Sequence, residues 1–278
     1  MRIYEATQRI TPKLEHIYFN SQYGFTLQTM LLLSPLLPED SETTIFNKLN
    51  HVSTFLDILL TWRLWNFRSI AYSTMQYSMF VIMRDIRSLE PDSLANTLYS
   101  FLINEKENFT TNDRLRVHQQ NRYMIHRILA RLTDYVETQS GNQSHYQDYV
   151  KEGKNRYEVE HIWADHPERY EDEFNHPSDF SEYRNQIGGL LLLPQKFNNS
   201  FGDLSYEKKL PHYNSQNLLA RSLNKQCYDH NPGFLRFVQE SNLPFKSYDH
   251  YKKVDLEERS LLYKQIAEKI WNPEELFI

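Results

Sequence analysis

Two stretches of the sequence carry the residue types that hydrolyse phosphodiesters. The first is Tyr157-Glu158-Val159-Glu160-His161-Ile162. The second is Gly188-Gly189-Leu190-Leu191-Leu192-Leu193-Pro194-Gln195-Lys196-Phe197-Asn198-Asn199. The first reads as a strand that ends in an acid–histidine pair. The second reads as an apolar strand, a proline-marked turn and the start of a helix bearing amide side chains. A carboxylate and an Asn brought together can hold a hard divalent cation through oxygen, leaving the adjacent imidazole to take a proton from water. Each part has an ordinary use as well. Glu-His pairs end many strands, Asn198 and Asn199 suit a turn or a helix cap, and the leucine run suits a plain core.

Helices must position these stretches. No glycine lies between Gly24 and Gly141, whereas five of the seven lie between 153 and 233. Within the Gly-free part Pro91 is the only proline after Pro38, and long segments without either residue are what helices need. Asp40-Ser41-Glu42-Thr43-Thr44 opens a helix with Ile45, Leu49, Val52, Phe55, Leu56, Leu59 and Trp62 at helical spacing. A broadly apolar helix, expected to be central, covers Ser69 to Arg87, and Pro91 starts a shorter one to about Leu102. Thr110-Thr111-Asn112-Asp113 is expected to open another, running to about Val136. Its stripe of Ile125, Ile128, Leu129, Leu132 and Val136 is buried, and Arg116, Arg127 and Arg131 face away. Residues 138–156 are polar and suit a linker, short strands and loops follow to about 232, and Asp255 to Trp271 returns to helix. Met1 to Ala6 begins as if already inside a helix, as a piece cut from a longer polypeptide or a frayed native terminus would.

Composition bounds the class. Hydrophobic residues at 40% and charged residues at 24% indicate a globular chain. The longest apolar run, Met30 to Leu33, is far too short to span a bilayer, and no secretory leader is visible, so no membrane partner is expected. One cysteine, Cys227, excludes a disulfide framework and a paired-Cys zinc knuckle, and fits a reducing, cytoplasmic setting. His166 and His176 stand too far apart, with no thiol near, to suggest zinc. Acidic residues crowd the segment from Asp165 to Glu182, where a solvated loop is the expectation. The net charge of −5 argues against tight autonomous binding of nucleic acid.

Glu160-His161-Ile162, the Gly-Gly-Leu-Leu-Leu-Leu segment, Asn198 nine residues after Gly189, and the continuation Tyr206-Glu207-Lys208-Lys209 with Tyr213 and Ser215 together resemble a ββα-metal (HNH) nuclease core. The pattern is similar to the domain of unknown function 1524, the C-terminal nuclease half of GmrSD-like, modification-dependent restriction enzymes. Tyr123 to Leu129 resembles the helix that precedes that core. The resemblance implies His161 as general base and Glu160 and Asn198 as ligands of Mg²⁺ or Mn²⁺, with Asn199 as the alternative register. It places Lys209 where a basic residue meets a phosphate, and Arg127 and Arg131 are further candidates for contact with DNA. It also implies a ParB-like nucleotide-hydrolysing N-terminal half as partner, in the same polypeptide or as a separate chain. The chain departs from the pattern twice. Gly189 stands where the family has an Asn beside the base, a role for which Asn185 is the candidate. Trp163-Ala164-Asp165-His166-Pro167 replaces the proline that commonly follows His-Ile by one residue.

The expected fold is therefore mostly α with a small α+β insert. A helical domain spans 1–145, an HNH-like core spans 146–232, and a C-terminal helical cover spans 233–278. The expected function is a metal-dependent DNA endonuclease, the effector half of a restriction or phage-defence enzyme. The alternatives are a helical binding module with a degenerate nuclease site, and an RNase using the same chemistry.

Overall fold

The structure, a computed structural model, describes residues 2–278. It is mostly helical, with one two-stranded antiparallel sheet, and divides into two compact units, residues 1–112 with 271–278 and residues 113–270. The boundaries expected at 145 and 232 both fall inside the second unit.

The first unit comprises α1 (Arg2–Gln8), α2 (Glu15–Gln22), α3 (Gln28–Leu33), α4 (Glu42–Trp65), α5 (Tyr72–Ile86) and α6 (Pro91–Ile103). Ser41 caps α4 as its sequence suggests, its Oγ accepting from Thr44 N at 3.1 Å, a device that contributes about 1 kcal/mol. This helix, rather than α5, is the central one. Its residues from Val52 to Trp62 are buried without interruption, including Asp57 and Thr61. The broad apolar content of α5 misleads, because only Met75, Met79, Ile82 and Ile86 turn inward while Tyr77 and Phe80 are exposed. Met1, where the opening helix was expected to be already under way, lies outside the described residues.

The second unit holds α7 (Arg122–Gln139), α8 (Tyr146–Val150), β1 (Tyr157–His161), α9 (Pro177–Arg184), β2 (Leu190–Pro194), α10 (Gln195–Phe201), α11 (Tyr206–Tyr213), α12 (Leu218–Arg221), α13 (Pro232–Ser241) and α14 (Lys253–Ile270). β1 and β2 pair antiparallel, with Glu160 opposite Leu191 and His161 opposite Leu190. Leu190 to Leu193 are buried on both faces of β2, which is why that strand is a continuous apolar run rather than an alternating one.

Three expectations change here. The helix expected from Thr110 begins only at Arg122. Residues 113–118 form no helix, Arg116 making an isolated antiparallel bridge with Gln186, with Leu115 and Val117 buried. Val117 N donates to Asn185 O and Ile187 N donates to Leu115 O, both at 2.8 Å. The stretch expected to be a linker contains α8, whose Tyr146 and Tyr149 are buried. Finally, α14 is not a separate cover. Tyr251 Oη donates to Gly188 O at 2.8 Å and Tyr263 Oη to Leu190 O at 2.9 Å, so the C-terminal segment closes the same core that holds the sheet.

Candidate active site

His161 ends β1, and its ring is set by a partner from another element. Asn185, just past the end of α9, donates from Nδ2 to Ser181 O at 2.9 Å, which turns its Oδ1 toward the imidazole. His161 Nε2 lies 2.8 Å from that Oδ1. An amide oxygen can only accept, so Nε2 carries the ring proton and Nδ1 keeps its lone pair. Burial lowers the imidazole pKa to about 3, helped by the positive charges of Arg184, Arg122 and Lys209 and opposed by the Asn185 bond. The ring is therefore neutral near pH 7, with one nitrogen able to accept.

The backbone pairing of 115–117 with 185–187 pins the turn that carries Asn185. Gly189 follows from the same packing. A Cβ there would stand 2.8 Å from Arg184 O and 3.2 Å from Leu256 Cδ1, so an asparagine has no room. Gly188 is tighter still, since a Cβ would collide with Leu256 O and with the Ser260 backbone. Asn185 contacts His161, and position 189 has no room for a side chain. Trp163, standing in the segment that departs from the family pattern, is a core anchor. It stacks on Phe180 with centroids 5.7 Å apart and donates from Nε1 to Tyr251 O at 2.7 Å.

Glu160 points into the core, 5% exposed, where Lys209 Nζ meets its Oε1 at 2.6 Å and also donates to His161 O at 2.8 Å. Lys209 is fully buried, and burial lowers its pKa while Glu160 pulls the other way. The expectation that Lys209 touches a phosphate does not fit this placement, because its three donors face inward. It neutralises Glu160 and ties α11 to the end of β1. Asn198 lies on α10, which packs on both strands. Phe197 beside it is fixed by stacking on Tyr213 at 5.3 Å. Asn198 Oδ1 is buried with no hydrogen-bond partner among the described residues, whereas the Asn199 side chain is exposed. Among the described residues no group of three or more His, Cys, Asp or Glu is placed to hold a metal.

Arg127 and Arg131 do not face away from the buried stripe. They are 5% and 8% exposed, because α7 is surrounded by α8, α12, α13, α14 and β2. Arg116 alone of the three stays outside, within 3.7 Å of Glu182. Sequence reading missed two cations that the fold brings to His161. Arg184, half-buried, donates from Nε to Trp163 O at 3.0 Å, and Arg122 Nη2 reaches Val159 O at 3.4 Å. Both act electrostatically on His161. Arg184 directly precedes Asn185, but nothing in the sequence alone separates it from the other arginines.

The acidic segment is strapped down in part. Lys252 reaches Asp172 at 2.7 Å and Glu173 at 3.1 Å, and His166 bridges Glu168 and Asp203. Cys227 is buried, and no helix is long and apolar enough to cross a membrane.

No curated protein and no solved structure matches the chain. Residues 103–266, more than half of its length and including every site residue named above, match the family described as GmrSD restriction endonucleases, C-terminal domain. The chain belongs to that family.

Proposed function

We propose that the chain is a metal-dependent DNA endonuclease of the ββα-metal (HNH) type, acting as the effector half of a restriction or phage-defence enzyme. Membership of a restriction endonuclease family supports the reaction class. One observation carries the mechanism. His161 is half-buried, neutral and held through Nε2 by Asn185, which leaves Nδ1 as the basic nitrogen. In this reading Nδ1 takes the proton from the water that attacks phosphorus. Arg184 and Arg122 draw the anionic phosphate toward the imidazole and favour the extra negative charge that develops as water adds.

The residues present fit a hard cation. A buried carboxylate, Glu160, and an orphaned buried amide oxygen, Asn198 Oδ1, supply oxygen donors, and no thiolate competes. Mg²⁺ or Mn²⁺ held by Glu160 and Asn198 would supply charge stabilisation for the phosphate and for the departing 3′ oxygen. Lys209 holds the Glu160 carboxylate oriented inside the protein. DNA is the proposed substrate, and a ParB-like nucleotide-hydrolysing half is the proposed partner, with the cytoplasm as the compartment.

The test is nicking of supercoiled plasmid with Mg²⁺ and with a chelator. Nicking that needs Mg²⁺ or Mn²⁺ is expected, and it should be lost in Asn198→Ala but retained in Asn199→Ala. Full activity in chelator removes the metal from the reading. Loss in Asn199→Ala alone moves the ligand register by one residue.

A further inference from the structure

Beside the reactive centre lies a cavity of about 740 Å³ between the start of α7, the segment 150–153 and β1. Arg122, Arg127, Lys151 and Arg156 line it, against only Glu152 and Glu158. In a chain whose net charge is −5, this is a local excess of positive charge.

Arg127 is its unusual member. Buried guanidinium groups are normally matched by a carboxylate, because an unpaired charge away from water is expensive. Arg127, 5% exposed, has none. Its Nη1 donates to His126 Nδ1 at 2.9 Å and its Nη2 to Tyr123 Oη at 3.0 Å, its plane lies 4.3 Å from the Tyr123 ring, and its Nε is buried without a partner. His126 adds no charge of its own. Its Nε2 donates to Tyr157 O at 3.0 Å, and burial lowers its pKa to about 4, so Nδ1 stays free to accept from Arg127. Glu158 is taken up by Arg156 at 2.7 Å. Lys151 is exposed at the rim with no partner among the described residues.

The cavity and the base share Arg122, which lines the one and acts electrostatically on the other. Glu158 and Val159 on the cavity wall precede His161 by three and two residues. At ~3.3 Å per strand residue this is ~7–10 Å, a separation that neighbouring phosphates of one nucleic-acid strand can bridge. We propose that this cavity is a second phosphate subsite, in which Arg127, Arg122 and Lys151 hold a phosphodiester of the substrate strand adjacent to the scissile one. The inference rests on the reading of the chain as a nuclease and names where its substrate is gripped.

Binding of a fluorescent DNA oligonucleotide, measured in chelator across a salt series, tests this without requiring cleavage. Lys151→Glu should weaken binding about tenfold, and the slope of log Kd against log salt should fall by ~0.7–0.9, because one phosphate fewer is neutralised. Arg127→Gln, checked for an unchanged melting profile, should do the same, and Lys225→Glu on the exposed surface should not. Inorganic phosphate and a 5′-mononucleotide should compete only weakly, because one phosphate cannot reproduce the strand. Wild-type affinity in Lys151→Glu overturns the subsite, as does equal weakening by Lys225→Glu. A mononucleotide that binds more tightly than the oligonucleotide, and no longer binds Lys151→Glu, overturns the assignment to the strand. If the nuclease reading fails instead, plasmid stays intact with Mg²⁺ while these binding differences persist.

Discussion

Asn185 decides which nitrogen of His161 is basic, and it is the first residue to perturb. Asn185→Ala releases the ring and removes its fixed tautomer, so plasmid nicking should fall ~10²-fold or more. Asn185→Asp keeps an acceptor at the same place and should recover much of that rate. Its added negative charge also raises the imidazole pKa. The acid limb of the kcat/KM profile, well below pH 6.5 in the wild type because the base titrates at about 3, should then move to higher pH. An acid limb already near 6.5 in the wild type contradicts the half-buried, neutral imidazole. The Glu160–Lys209 pair makes a different prediction. Removing one partner strands a buried charge, so Lys209→Ala should cost about 3–5 kcal/mol in denaturant unfolding. A loss below ~1 kcal/mol would place the lysine at the surface, where its sequence position first suggested a phosphate contact.

Element packing explains what was legible and what was not. β1, β2 and the helix after Pro194 can be read from the sequence, because strand period, an apolar run and a proline are local signals. The cap of α4 at Ser41 is local too. Asn185 reaching His161 is not local, since it depends on residues 115–117 pairing with 185–187, in a stretch whose Thr-Thr-Asn-Asp start imitates a helix cap. Arg127 and Arg131 misled for a related reason. Polar residues on an amphipathic helix are taken to face solvent, and only the packing of five other elements around α7 buries them. Gly189 looked like a defect in the site and is instead a packing requirement, set first by the Arg184 carbonyl and then by Leu256 of α14. Gly189→Asn, which restores the family residue, should therefore cost about 1–3 kcal/mol by overpacking and should not raise the nicking rate. Equal stability with faster cleavage would show that the α14 contact yields easily and that Asn185 is a poor substitute.

Across the whole molecule, three histidines whose pKa burial lowers, His51, His126 and His161, tie stability to pH in one direction. His161 titrates at about 3 and His126 at about 4, both below the 6.5 of an unfolded chain. As pH falls from 6.5 toward those values the unfolded chain takes up protons that the folded one does not. The stability from these groups is complete above pH 6.5 and is lost through that window. Melting temperatures between about pH 7 and about pH 5 should fall on acidification, and the fall should be shallower in His161→Ala. With a net charge of −5 and a compact basic cavity, the chain alone should nick DNA slowly, without sequence preference, and with affinity that collapses as salt rises. Tight, salt-resistant, modification-selective binding in a gel-shift titration would instead place the recognition of modified DNA within these residues. The most direct measurement is plasmid nicking with Mg²⁺ by the wild type and by His161→Ala side by side, with the variant shown to be folded. The wild type should convert supercoiled to nicked plasmid while His161→Ala falls by at least ~10²-fold. Equal rates from a folded variant would contradict the assignment of His161 as the base.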